Sequence, residues 1–239
     1  GLALIFVLLV IALFGSFTIK DFDFPMVLSG LLGLYFLICA YAAVGLFMSS
    51  LTSYQVVAAI MTLVVLGLLS YVKNLWQEFE LVREITYWLS ISGRSGEFIR
   101  GLICSEDVIY FITVSALFLV LTVIRLQANR QKAPWTMTIG KYSSVLLIAS
   151  VIGYFSSRPA LMTYYDATAT KSNTLTENSQ DVVAKMKGGL TITTYVNALD
   201  LNDLWTAMPA QVKQDQERFR QYVRFKPEIK MKYVYYYDT

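Results

Sequence analysis

The chain has 239 residues, of which 56% are hydrophobic and only 15% charged, and its mean hydropathy is +0.51. A soluble domain carries roughly 25% charged residues, so most of this chain is read as membrane-embedded, with a soluble remainder. The net charge of +3, from 20 Lys+Arg against 17 Asp+Glu, is too small and too dispersed for a nucleic-acid partner. There is no histidine, which excludes His-based triads and His metal sites. The two cysteines, Cys39 and Cys104, stand far apart in apolar surroundings, so neither a disulfide framework nor a Cys-rich metal centre is expected.

A helix that crosses a bilayer takes about 20 apolar residues. Five segments approach that: 1–17, 26–48, 56–72, 108–124 and 137–155. The chain opens inside an apolar run without an initiator Met and stops inside a strand-like pattern, so it is expected to be a piece of a larger protein. The first run has no basic leader and no small-residue cleavage site, unlike a signal peptide. Residues 125–141 hold Arg125, Arg130, Lys132 and Lys141 with no acidic residue. By the positive-inside rule this loop is cytoplasmic. Alternation then puts 18–25 and 73–107 outside, 49–55 inside, and everything after about 157 outside.

Segment 73–107 is too interrupted by charge for a span. Leu75, Phe79, Val82, Ile85 and Leu89 repeat at helical spacing, and Trp76 and Trp88 add aromatic bulk of the kind found at membrane interfaces. Ser92-Gly93-Arg94-Ser95-Gly96 is expected to break the helix. Phe98, Ile99, Leu102 and Ile103 then form a second apolar face. The expectation is a helix–turn–helix that lies in the outer interface or dips into the membrane, with Trp76, Phe79 and Trp88 as its interfacial residues. No charged residue falls deep in an expected span, which argues against a proton-coupled path.

After residue 157 the composition changes. Residues 158–173 read as polar and extended. Residues 176–187 read as a helix capped by Thr176 and stopped by Gly188-Gly189. Residues 190–196 read as a strand, 211–225 as a charged helix and 229–237 as a second strand. Strand, helix and strand predict a parallel βαβ unit, the start of an α/β domain. No Gly-rich phosphate loop follows the first strand, and no G-x-x-x-x-G-K-[S/T] loop occurs anywhere. With no catalytic, cofactor-binding or metal-ligating constellation, an enzyme is the poorest reading.

The run Gly45-Leu46-Phe47-Met48-Ser49-Ser50-Leu51-Thr52-Ser53-Tyr54-Gln55-Val56-Val57-Ala58-Ala59 resembles the turn joining two membrane helices in ABC type-2 transporter permeases. The block from Tyr87-Trp88-Leu89-Ser90 through Gly101-Leu102-Ile103 to Val108-Ile109-Tyr110-Phe111 resembles the outer re-entrant region and last helix of that family. Arg158-Pro159, Tyr165-Asp166-Ala167-Thr168 and Asn173-Thr174-Leu175-Thr176 look like the start of a gliding-motility-associated ABC transporter substrate-binding-like protein, with Ala167 where that family has Leu. The resemblance implies an α-helical membrane protein with about five transmembrane helices, followed by a truncated extracytoplasmic α/β domain. Its parts would be a permease region at 1–132, a linker and anchoring helix at 133–157, and the outer domain at 158–239. It further implies a multi-pass protein of the bacterial cytoplasmic (inner) membrane, without cofactor of its own. The expected partners are the lipid bilayer and a cytoplasmic ATP-binding subunit, in a two-plus-two complex around a homodimer. Gly45, Ser49, Ser50, Thr52 and Gln55 would form a helix-packing or coupling turn, in which the small pair Gly45 and Ser49 permits close backbone approach. The alternative is a membrane-anchored adaptor of an envelope machine, related to gliding or secretion, without transport of its own.

Overall fold

The structure, a computed structural model, describes residues 2–71, 91–130, 135–158, 161–200, 209–226 and 228–237. Contacts divide the chain into two units, with the boundary in the C-terminal half between Ala169 and Thr170.

The first unit is helical. Helix α1, Leu2–Thr18, is apolar on every side, as a helix in lipid is. A short turn leads to α2, Phe24–Leu51, 28 residues long and therefore about 42 Å. Asp23 caps it by accepting a hydrogen bond from the Met26 amide at 3.2 Å, and Pro25 occupies the first turn, where its missing N–H costs nothing. Thr52, in extended conformation, ends it. Helix α3, Gln55–Tyr71, runs back. Helix α4, Ile91–Ile99, and strand β1, Leu102–Cys104, precede the long α5, Ser105–Arg130, and α6, Trp135–Ser156, follows it. Glu106 and Asp107 sit in the first turn of α5 and Arg130 in its last, each sign at the end of the helix dipole that favours it.

Among the described residues, three helices are long and apolar enough to cross a membrane: Phe24–Leu51, Ser105–Ala128 and Thr136–Ser156. The chain is thus a helical membrane protein by this measure. Of the five expected spans, the other two correspond to Ala3–Thr18 and Gln55–Tyr71, which are apolar but shorter. A 17-residue helix such as Gln55–Tyr71 reaches about 26 Å, against about 30 Å of hydrocarbon core. Side chains such as Phe6, Phe14 and Leu63 are about 70% exposed. Apolar surface on that scale needs an apolar neighbour.

Strand β2, Tyr164–Asp166, lies beyond α6 and pairs antiparallel with β1, Ile103 opposite Tyr165. The pairing continues on both sides: Ala167 N–H donates to Gly101 O at 2.7 Å and Ser105 N–H to Thr163 O at 2.8 Å. Because β1 leads into α5 and β2 follows α6, the antiparallel α5–α6 hairpin is closed at its open end by this short sheet. Asp23 Oδ2 accepts from the Ala169 amide at 2.7 Å, so the α1–α2 turn belongs to the same end. The segment up to Ala169 is therefore part of the helical unit. A three-residue strand carries no local signal strong enough to announce such a pairing.

The second unit holds α7, Glu177–Lys185, capped by Thr176, whose hydroxyl accepts from the Ser179 amide at 3.4 Å. After Gly188, which adopts φ +85, a left-handed conformation natural to glycine, β3 spans Thr191–Asn197. Helix α8, Pro209–Phe225, leads to β4, Lys230–Tyr236. Strands β3 and β4 are parallel, with Thr191 opposite Lys230 and Asn197 opposite Tyr236. This is the strand–helix–strand order read from the sequence. The Tyr233 hydroxyl donates to Val212 O of α8 at 3.4 Å, and Lys226 Nζ donates to Met186 O.

Candidate functional site

Helix α4 is the least ordinary element of the first unit. Its residues 92–96, expected to break a helix, are helical. Glycine costs about 1 kcal/mol in a helix interior relative to alanine, and here burial overrides it. Ile91, Arg94, Ser95 and Phe98 are all buried, and their i, i+3, i+4, i+7 spacing makes one continuous face. At nine residues, or about 14 Å, the helix is far too short to span a bilayer.

The face packs on α2 and α5. Phe98 is fully buried, with ring centroids 6.0 Å from Phe36 and 6.1 Å from Phe111, and Phe36 stacks on Phe111 at 6.0 Å. Offset and edge contacts at these distances are favourable beyond their burial. Three aromatic rings thus join three helices. A Cβ placed on Gly33 would lie 2.4 Å from Phe98 Cβ, so only glycine lets α2 come this close. The Ser29 hydroxyl donates to Phe98 O at 3.0 Å, satisfying a C-terminal carbonyl of α4 where water is scarce.

Arg94 lies in the middle of this apolar stripe and is only 3% exposed. Its Nη1 is 2.8 Å from Asp107 Oδ1 and 3.9 Å from Glu106 Oε1, both carboxylates being buried as well. Its guanidinium carbon sits 4.6 Å from the centre of the Tyr110 ring, a cation–π contact. A buried charge needs a partner. Here the two acids stand at the N-terminus of α5, whose dipole helps hold negative charge. The arrangement clasps α4 to the start of α5. The expected span began at residue 108; the helix begins at Ser105 and takes Asp107 into the candidate span, which is why this charge was not anticipated within one.

The residues singled out from the sequence stand elsewhere. Ser50 Oγ donates to Phe47 O at 2.6 Å and Thr52 Oγ1 accepts from the Tyr54 amide at 3.2 Å, so both hydroxyls serve the end of α2. Ser49 and Gln55 are exposed. A Cβ on Gly45 would meet Thr62 Cγ2 at 3.7 Å, an ordinary contact. The tight glycine approach in α2 is therefore at Gly33, not Gly45. The 52–54 turn and the α4–β1 cluster lie at opposite ends of α2. Trp76, Phe79 and Trp88 fall outside the described residues. What the sequence reading missed is Arg94, Asp107 and Gly33. The signal that could have found the first was the 91-94-95-98 spacing, which puts an arginine on an apolar face.

Comparison with protein-family models, curated proteins and solved structures finds no match for this chain.

Proposed function

We propose that this chain is a membrane-spanning permease component of an ABC-type exporter, which moves its substrate with ATP hydrolysed by a separate cytoplasmic subunit. The observation that carries this reading is α4: a short helix buried against α2 and α5 ahead of a long apolar helix. That is the position at which the resemblance to ABC type-2 permeases implies an outer re-entrant segment. The opposite end of α2 bears the exposed 52–54 turn, available to a cytoplasmic partner. In this reading the protein is a multi-pass protein of a bacterial cytoplasmic membrane, and the βαβ unit begins a domain outside the cytoplasm. Two copies work with two ATP-binding subunits. Helix α4 and its clasp close the outer end of the permease.

The test is purification of the full-length protein from native membranes. It should bring down an ATP-binding subunit in a two-plus-two assembly, and alone it should show no ATPase activity. A stable monomer that captures no ATP-binding subunit would favour a membrane-anchored adaptor and end the transporter reading.

A further inference from the structure

In the second unit the parallel register of β3 and β4 sets residues 191, 193, 195 and 197 beside 230, 232, 234 and 236. Side chains alternate along each strand, so these positions share one face. The opposite face belongs to α8: Val196 and Val212 are buried, and the Tyr233 hydroxyl donates to Val212 O. Parallel strands are ordinarily covered on both faces, but here the face away from α8 is open. Tyr195 is 67% exposed and Tyr236 41%, and Lys230 and Lys232 are exposed as well. Lys232 lies beside Thr193, and Tyr195 beside Val234.

Charge narrows what covers this face. Its two charged residues are both lysines, and no position on it is acidic. Among the described residues neither lysine has an ion-pair partner, and Glu228, the acid just ahead of β4, stands 3.8 Å from Lys226 instead. A second copy of the face offers no carboxylate to either lysine, and an apolar partner would bury both cations unpaired. The complementary partner is anionic. Tyrosine joins an apolar ring to a polar tip, and lysine lays its stem on apolar surface while its ammonium stays in water, a combination suited to the headgroup layer of a bilayer. Two lysines hold a soluble acidic polymer only weakly. A bilayer, however, is supplied by the chain itself, which carries helices long and apolar enough to cross one. The helical unit ends at Ala169 and β3 begins at Thr191, and such a covalent link raises the local concentration of a binding surface to about the millimolar range.

We propose that the open face of the β3–β4 pair docks on an anionic bilayer surface, with Lys230 and Lys232 at lipid phosphates and Tyr195 and Tyr236 in the headgroup layer. The inference rests on the membrane character of the helices and not on the ATP-driven reading, so each can fail alone.

The test uses the full-length protein with Cys39 and Cys104 replaced and a spin label on Thr193→Cys, in nanodiscs of phosphatidylcholine alone or mixed with phosphatidylglycerol. In the anionic discs the label should collide less with a water-soluble nickel chelate and more with oxygen than in the neutral ones. A label on Val182→Cys, exposed on α7, should read the same in both. Lys230→Gln with Lys232→Gln should move the docked-to-free ratio toward the free state by about thirtyfold. Salt at about 1 M should also release the face, a readout that leaves both lysines in place. Equal nickel accessibility of Thr193→Cys in neutral and anionic discs overturns the proposal. So does protection of that label in detergent, which would mean that protein covers the face. Equal protection by soluble polyglutamate in neutral discs overturns it too, by assigning the face to a soluble acidic ligand. The double lysine variant should still co-purify with an ATP-binding subunit if the transporter reading holds.

Discussion

Arg94 and Asp107, thirteen residues apart in sequence, meet through a 2.8 Å contact between two buried side chains. One guanidinium here faces two carboxylates, since Glu106 lies 3.9 Å from the same nitrogen. That imbalance makes the three positions unequal. Arg94→Met leaves two buried acids without this cation, whereas Asp107→Asn leaves Arg94 with Glu106. Removing one partner of a buried pair costs about 3–5 kcal/mol, and losing a charge-assisted hydrogen bond about 1.5–3 kcal/mol. Arg94→Met should therefore lie at the upper end and Asp107→Asn at the lower. Thermal unfolding of the detergent-solubilised protein ranks them, and an equal or reversed order would show that the cluster is not held by Arg94.

Gly33 provides a second, purely steric prediction. A methyl at this position would sit 2.4 Å from Phe98 Cβ, so Gly33→Ala must push α4 off α2 or rotate Phe98 out of its contacts with Phe36 and Phe111. Overpacking of this kind costs about 1–3 kcal/mol. Gly45→Ala, with 3.7 Å to Thr62, should be close to neutral. Gly96→Ala meets nothing within 4 Å and should stabilise α4 by up to about 1 kcal/mol through helix propensity. The three melting temperatures, measured side by side, check the close approach at Gly33. A neutral Gly33→Ala contradicts it.

The sheet that closes the α5–α6 hairpin can be probed at Ala167. Its amide donates to Gly101 O at 2.7 Å, and proline has no amide to donate. Ala167→Pro should loosen β2 from β1 while leaving the long helices formed. Amide exchange at residues 102–104 and 164–166 should accelerate, with little change in α2 and α5. Unchanged exchange would mean that the strand pair is not what joins these ends.

The long apolar helices and the βαβ order of the second unit were legible because each is specified locally, by apolar run length or by β-branched runs set off by breakers. Thr176 was readable as a cap for the same reason. The first unit's tight features were not, because each depends on residues distant in the chain. Ser105 and Thr163 are 58 residues apart, and Ser29 and Phe98 are 69 apart. Residues Ser92 to Gly96 have poor helix propensity, and they are helical because Arg94 and Phe98 find partners on α5 and α2. Gly45 drew notice by its spacing to Ser49, but spacing does not say how close a neighbour comes: 2.4 Å to Phe98 at Gly33, and an ordinary 3.7 Å to Thr62 at Gly45.

Sidedness is the last prediction, and the hydrogen bonds sharpen it. Asp23 holds Ala169, Gly101 holds Ala167 and Ser105 holds Thr163, so the α1–α2 turn, the residues before α5 and those after α6 share one end of the unit. The 52–54 turn lies at the far end of α2, about 42 Å away along a 28-residue helix. On the proposed reading, positive charge at Arg125, Arg130, Lys132 and Lys141 puts that far end in the cytoplasm. With Cys39 and Cys104 replaced, single cysteines at Lys20 and Arg100 should therefore react together with an impermeant thiol reagent added to intact cells. Cysteines at Ser53 and Gln131 should react only after the membrane is opened. Labelling of Lys20 and Arg100 from opposite sides would contradict the hydrogen-bonded end itself. Labelling of both from the cytoplasm would keep that end intact but invert the orientation, and would place the βαβ unit inside the cell.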